Sequence, residues 1–181
     1  FHQSSCGKTR SASEVIGTEE YPYVAVRECP ADKEAGNEVQ VFTFSYSEIQ
    51  EKCRDFLVAA ADGEQAEKGY SFADFEIKAY DSAGYVSELR IGDTICTGDQ
   101  FRDALSLPSS AFSFSEPAEE EQGNDKESAI KITTTGNGHG MGMSLWTAEK
   151  MDEEGKTFEE ILSFFFEGTE MRKDIQETEL Y

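Results

Sequence analysis

A glycine-rich segment in the last third of the chain most constrains how the sequence can fold. Residues 136–144 read Gly-Asn-Gly-His-Gly-Met-Gly-Met-Ser, so four glycines surround one of the two histidines in the sequence. Glycine lacks a side chain, so such a segment can adopt positive φ angles and lets another group approach its backbone closely. His139 can present a ring nitrogen there for hydrogen bonding or proton transfer. On composition alone, a flexible loop with an incidental surface histidine is the commoner explanation.

The size and charge of the chain limit the functions open to it. Its 181 residues suffice for one domain with its own core, and 13 Phe and 7 Tyr supply large side chains to bury. The formal net charge of −21 repels nucleic-acid phosphates, so we expect no DNA or RNA partner. Because the sequence has neither a long apolar run nor a recognisable signal peptide, we expect any membrane anchor to lie upstream of Phe1.

The pattern of apolar residues and turns predicts a single α+β domain over residues 1–181, with a mostly antiparallel, twisted sheet and three or four short helices. The predicted strands are 38–46, 73–80, 84–91, 94–96, 109–114 and 129–135. The predicted helices are one starting at Ser47, with Ile49, Cys53, Phe56 and Leu57 on one apolar stripe, then 100–105, one that Ser144 caps and that runs through Glu154, and one opened by a capping box at Thr157. The acidic stretch 115–128 predicts a surface loop within the domain.

The residues that follow the glycine-rich segment continue a recognisable order. Trp146 and Ala148 come first, then Thr-Phe-Glu-Glu-Ile-Leu at 157–162 and Phe-Phe-Glu-Gly-Thr at 165–169. This order resembles the C-terminal signature of the stage II sporulation protein D family (the SpoIID/LytB domain). The chain departs from that signature at Asn137, Leu145 and Thr147, where the family usually has Trp, Gln and Gly.

The first nine residues strengthen the resemblance. They read Phe-His-Gln-Ser-Ser-Cys-Gly-Lys-Thr, similar to the family's Phe-His-Ser-x-Ser-Gly-Gly-[Arg/Lys]-Thr, with Cys6 in place of a glycine. Their hydroxyls and imidazole suit hydrogen bonding to sugar hydroxyls or an acetamido group, although a polar surface turn would have the same composition. We therefore predict that both segments converge on one substrate-binding cleft. Its candidate residues are His2, Ser4, Ser5, Gly7, Thr9, Gly138, His139, Gly140, Gly142, Met143 and Ser144.

The cysteines and histidines leave the question of a metal open. His2 and Cys6 could ligate a soft metal, but two ligands four residues apart do not make a site. The family resemblance implies zinc near this region in some members, so zinc stays an alternative while we expect no cofactor. The four cysteines, Cys6, Cys29, Cys53 and Cys96, contain no Cys-x-x-Cys pair and allow three fully paired connectivities.

The resemblance implies a lytic transglycosylase that cleaves the glycan strands of peptidoglycan. Such an enzyme breaks the bond between N-acetylmuramic acid and N-acetylglucosamine without water and leaves a 1,6-anhydro end. One carboxyl group with a raised pKa suffices, since it protonates the leaving oxygen and then accepts the proton of the 6-hydroxyl. The family carries this Glu in a Val-Val-x-x-Glu-Met-Pro type of motif, which the present sequence lacks.

Two explanations of the missing motif remain open. The catalytic segment can belong to another part of a longer protein, which we favour, or the chain can bind glycan without cutting it and enhance a partner amidase. The catalytic residue is therefore unknown. Both explanations place the protein outside the cytoplasm, at the cell wall or membrane, with peptidoglycan glycan strands as its partner.

Overall fold

The computed structural model describes residues 1–36, 38–57, 69–117 and 129–172, and the following account concerns those residues. They form two three-stranded antiparallel sheets and five α-helices, which confirms the predicted α+β class. The strands are β1 (Val39–Ser45), β2 (Phe75–Tyr80), β3 (Val86–Ile91), β4 (Thr94–Cys96), β5 (Phe112–Ser115) and β6 (Ala129–Thr135). The helices are α1 (Ala12–Ile16), α2 (Tyr46–Lys52), α3 (Gly98–Leu105), α4 (Leu145–Glu153) and α5 (Phe158–Phe165).

The first sheet delivers the chain into the glycine-rich segment. Its strand order is β1-β6-β5, so β6 lies in the middle and pairs with both neighbours. Along β6, Ile130, Ile132 and Thr134 are buried while the residues between them are half-buried, as the two-residue period of a strand requires. Because β6 ends at Thr135, its central position fixes where Gly136 and the residues after it begin.

The second sheet has the order β2-β3-β4 and forms the other half of the scaffold. Its central strand buries Val86, Leu89 and Ile91 completely. The turn before β3 is held by Asp81, whose side chain accepts hydrogen bonds from the backbone N–H groups of Ala83 and Tyr85. Such bonds from an Asp side chain to the backbone are typical of tight turns.

One large apolar cluster joins the two sheets to α2 and α3. Phe101 on α3 packs against Phe112 and Phe114 of β5, with ring centroids 5.4 and 5.7 Å apart. The buried members of the cluster are Tyr46, Ile49, Cys53, Phe75, Val86, Leu89, Ile91, Cys96, Phe101, Leu105, Leu107, Phe112, Ile130 and Ile132. A smaller cluster around Cys29, Ile161 and Phe165 secures α4 and α5.

Two helix starts differ from the predictions because the capping residue lies further upstream. Helix α2 begins at Tyr46 rather than Ser47, since Ser45 accepts a hydrogen bond from the Glu48 N–H and the Glu48 carboxylate accepts one from the Ser45 N–H. Helix α3 begins at Gly98 rather than residue 100, because Thr97 forms the same reciprocal box with Gln100. The predicted caps at Ser144 and Thr157 are confirmed, each accepting from the backbone N–H three residues later.

Further differences concern the extent and number of the helices. Helix α2 ends at Lys52, so Phe56 and Leu57 reach the large cluster from beyond the helix. Helix α1, capped by Ser11, was not predicted and brings the total to five within the described ranges. Most of the predicted acidic loop, residues 118–128, lies outside those ranges. In the part of the chain that the structure describes, no helix combines the length and apolar character needed to cross a bilayer.

Candidate functional site

The amino-terminal segment, residues 1–10, lies directly against the glycine-rich segment although most of the chain separates them. Ser4 donates its backbone N–H to the Asn137 carbonyl at 3.1 Å, and Asn137 donates back to the Ser4 carbonyl at 2.8 Å. Further along, the Leu145 N–H donates to the His2 carbonyl at 2.9 Å. The two segments thus satisfy each other's backbone hydrogen-bonding groups and form one unit. The sequence predicted that these segments lie together.

Glycines in this unit make room for the protein's own residues. At Gly138, where φ is 121°, a Cβ atom would stand 2.6 Å from the His2 Cβ. At Gly140, where φ is 80°, it would stand 2.6 Å from the Tyr85 ring and 2.9 Å from the Arg10 Cδ. The expected close approach therefore occurs, but the approaching groups at these two positions are the amino-terminal segment and Tyr85 rather than a ligand.

The two histidines of the chain meet in this unit. Their ring centroids are 5.7 Å apart at an interplanar angle of 63°. The His139 Nδ1 accepts a hydrogen bond from the Met141 N–H, so its Nε2 carries the proton and donates to the Phe1 carbonyl, both at 3.1 Å. The His2 Nδ1 donates to the Met141 carbonyl at 3.1 Å, which leaves the His2 Nε2 as an acceptor. Backbone contacts thus fix the tautomer of each ring.

Both imidazoles are neutral at neutral pH. His2 is 4% exposed, and its burial lowers its pKa to about 4. His139 is half-buried, and burial lowers its pKa as well. The His2 Nε2 is buried and has no hydrogen-bond partner among the described residues. The pair therefore offers one unused acceptor and no positive charge.

A fully buried carboxylate, Asp32, holds the unit together. Its Oδ2 accepts hydrogen bonds from the Ser5 backbone N–H, at 2.6 Å, and from the Ser5 hydroxyl. Its Oδ1 accepts from the hydroxyls of Ser144 and Thr147, each at 2.7 Å. Asp32 lies in a 3₁₀ turn, Pro30–Glu34, and thereby connects the amino-terminal segment to the end of the glycine-rich segment and to α4. Sequence reasoning missed it, because nothing in the pattern distinguishes it among 37 acidic residues.

The hydroxyls predicted to bind substrate are largely used within the protein. Those of Ser5 and Ser144 donate to Asp32, and that of Thr9 bonds two backbone groups. The Ser4 hydroxyl is buried and has no partner in the described part of the chain. All four residues are 0% exposed, so none of these hydroxyls is open to a ligand in this structure. Their contact with substrate stays a prediction.

A second buried network positions the backbone of His139. The Arg10 Nε donates to the Asp81 carboxylate at 2.7 Å, and its Nη1 donates to both carboxylate oxygens of Asp99 at 3.0 Å. The same Nη1 donates to the His139 carbonyl at 3.3 Å, and the guanidinium carbon lies 4.8 Å from the centre of the Tyr85 ring. Arg10 is 3% exposed, so two carboxylates offset the cost of burying its charge. The sequence analysis did not single it out.

The remaining predicted residues lie at the edge of the unit. Gly7 has a φ of 109° and its carbonyl accepts the Cys29 N–H at 2.8 Å. Met143 packs beside the small apolar cluster and accepts the His2 N–H at 3.2 Å. Gly142 faces the Phe166 ring, where an added Cβ would be 3.7 Å from the nearest ring atom.

The four cysteines are free thiols. Burial raises the pKa of Cys29 and of Cys53 to about 12, so both remain protonated and pack as small apolar groups. The Cys6 thiol donates to the Ala83 carbonyl at 3.3 Å. Across the described ranges no group of three or more His, Cys, Asp or Glu side chains is placed to hold a metal ion, and a His2–Cys6 site stays a prediction.

Comparison with known proteins bears on this arrangement. No family model matches the sequence. Stage II sporulation protein D of Bacillus subtilis (strain 168) is 29% identical over 171 residues, and the protein of that name in Bacillus amyloliquefaciens is 26% identical over 180 residues. The chain is related to the stage II sporulation protein D family. Each alignment covers 94% of the chain but 44% of the relative, so the chain spans less than half the length of these relatives.

The relationship confirms the resemblance that the two motifs indicated. Because the alignments cover nearly the whole chain, the similarity extends through the strands and helices between the motifs. Asp32 and Arg10 join the two motifs in space. The unit built from both ends of the chain is therefore the feature to test.

Replacing Asp32 by Asn tests its role as the connecting group. Asn presents two donors where Asp32 accepts four hydrogen bonds, so we expect the free energy of unfolding to fall by about 3 kcal/mol. Asp152→Asn is the matched control, because Asp152 is exposed on α4, and it should change stability by less than about 0.5 kcal/mol. Urea unfolding measures the stability of both variants. If Asp32→Asn were as stable as the natural chain, the role of Asp32 as the connecting group would be contradicted.

Acid should destabilise the fold through His2. Its pKa is about 4 in the folded chain, against about 6.5 when unfolded. The unfolded chain therefore binds more protons between these values, and stability is lost as the pH falls through that window. From about pH 7 to about pH 5 we expect a loss of about 2 kcal/mol.

The variant His2→Gln isolates this effect, because it removes the titrating group. Urea unfolding across the same pH range should show that the free energy of unfolding depends clearly less on pH in the variant than in the natural chain. The remaining slope should come mainly from His139, the only other histidine, whose pKa is also lowered by burial. Identical slopes for the variant and the natural chain would show that His2 is not buried in its neutral form.

Proposed function

We propose that the unit around His2 and His139 binds the amino-sugar backbone of peptidoglycan, and that the chain takes part in lytic cleavage of glycan strands during sporulation. The observation that carries the proposal is the pair of neutral imidazoles, 5.7 Å apart, that two distant segments hold together. Two relatives named stage II sporulation protein D support a role in sporulation.

The chemistry of the pair suits a ligand rich in hydroxyl and acetamido groups. The free acceptor, the His2 Nε2, is buried, so it can take a hydrogen bond from a sugar hydroxyl or an acetamido N–H only if the residues around it move. The half-buried ring of His139 and the Phe1 side chain, which is 72% exposed, provide apolar surface for the C–H face of a sugar.

The same geometry argues that these residues bind and orient rather than protonate. The Asp32 carboxylate is fully buried and accepts four hydrogen bonds, so it cannot reach a glycosidic oxygen. In the described part of the chain, both rings bond backbone groups, and no carboxylate hydrogen-bonds to either of them. We therefore assign the proton donor to a carboxyl group outside this unit.

A second function, a non-catalytic module that enhances a partner amidase, is favoured by the same absence of a carboxylate at the imidazole pair within the described residues. The two functions differ in their products. Saccharides with a 1,6-anhydro end, released from denuded glycan strands by a longer protein that contains this chain, would support the transglycosylase. Stimulation of an added amidase without any anhydro product would support the module.

Glycan binding should depend on His139. We expect His139→Ala to weaken binding of purified glycan strands about tenfold, equivalent to about 1.4 kcal/mol, because the variant loses both ring surface and the fixed position of Phe1. Glu149→Ala, an exposed change on α4, should leave binding unchanged. Isothermal titration calorimetry on folded variants measures both. Equal binding by His139→Ala and the natural chain, or no binding by any of them, would refute the proposal.

A further inference from the structure

We propose that a groove between Tyr23 and the C-terminal end of α5 is a second saccharide subsite, which holds a later sugar of the glycan bound at the imidazole pair. The groove encloses about 230 Å³. This inference rests on the proposed function, since it extends the same ligand across the surface.

The lining of the groove combines apolar walls with a few polar groups. Tyr23, Leu162 and Phe166 supply the apolar surface. Ser163, Thr169 and Glu170 add two hydroxyls and a carboxylate at its rim, all three of them exposed. A pyranose ring has the complementary construction, with C–H groups on its faces and hydroxyls on its edge, so it can pack on the walls and hydrogen-bond at the rim.

Two tyrosines present their rings to solvent beside the groove. Tyr21 is 41% and Tyr23 36% exposed, and their centroids are 6.1 Å apart in an edge-to-face arrangement. A turn holds them there, in which the Val24 N–H donates to the Tyr21 carbonyl at 2.9 Å. Exposed aromatic rings clustered beside a concave surface are typical of binding sites rather than of a solvated face.

The opposite wall is held in place by its own hydrogen bonds. Thr169 donates both its N–H, at 3.2 Å, and its hydroxyl, at 2.7 Å, to the Phe166 carbonyl. Glu167 in the same turn pairs with Arg27 at 2.9 Å, and the Arg27 carbonyl accepts the Thr9 N–H. The groove wall is thus connected to the amino-terminal segment that carries His2.

One ring, that of Phe166, lies between the groove and the glycine-rich segment. Phe166 lines the groove and also lies against Gly142 of the glycine-rich segment, within van der Waals distance of the position a Cβ would take. A ligand that leaves the histidines along this segment therefore meets Phe166 next. The Glu170 carboxylate in the groove lining disfavours a phosphate or an acidic peptide there.

The test compares glycan oligomers of different length on the chain and its variants. We expect N-acetylglucosamine oligomers that are long enough to reach from the imidazole pair to the groove to bind more tightly than the disaccharide. Tyr23→Ala should weaken the long oligomers about three- to tenfold and leave the disaccharide unchanged, because only the second subsite loses a stacking ring. Tyr80→Ala removes a tyrosine that is 56% exposed on β2 and should change neither.

A footprint on the natural chain gives an independent readout. Backbone amide signals of residues 162–169 should shift in NMR titrations with the long oligomers and not with the disaccharide. If the chain binds neither these oligomers nor purified glycan strands, the proposed function fails and the subsite with it. If it binds the strands but none of the oligomers, the subsite alone is overturned. If the chain binds oligomers but Tyr23→Ala behaves like Tyr80→Ala, or residues 162–169 respond to a wall stem peptide and not to sugar, the subsite alone is overturned.

Discussion

The candidate site depends on the buried carboxylate of Asp32. A charge removed from water is costly unless hydrogen bonds surround it, and here Ser5, Ser144 and Thr147 supply four of them. Those donors come from the amino-terminal segment and from the residues that follow β6, so the carboxylate is satisfied only when both segments are in place. The contacts that satisfy the Asp32 carboxylate therefore also bring the two imidazoles together, so the site forms with the fold rather than after it.

Much of the scaffold was predictable because local sequence signals agree with the final structure. Alternating residues at 129–135 gave β6 its correct extent, and Ser144 and Thr157 cap the helices that were expected from them. The two wrong helix starts came where a competing cap one or two residues upstream forms a reciprocal box, as at Ser45 and Thr97. Such a choice depends on side-chain geometry that apolar periodicity does not report.

The interior of the site was less predictable. The pairing of the two histidine-containing segments followed from their motifs, but the purpose of the residues within them did not. Gly138 makes room for His2, and the hydroxyls of Ser5 and Ser144 serve Asp32, so residue types that suit sugar binding are also those that suit a dense polar interior. Asp32 and Arg10 act through contacts over long sequence distances, and a single sequence carries no signal for such contacts.

If both ends of the chain form one cooperative unit, their shared hydrogen bonds must open together. Native-state hydrogen exchange measures this directly through the amides of Ser4, Asn137 and Leu145, which donate between the two segments. The account predicts one common opening free energy for these amides, lowered equally in Asp32→Asn. Rapid exchange at Ser4 while Asn137 stays protected would show that the amino-terminal segment detaches on its own, and would contradict the account.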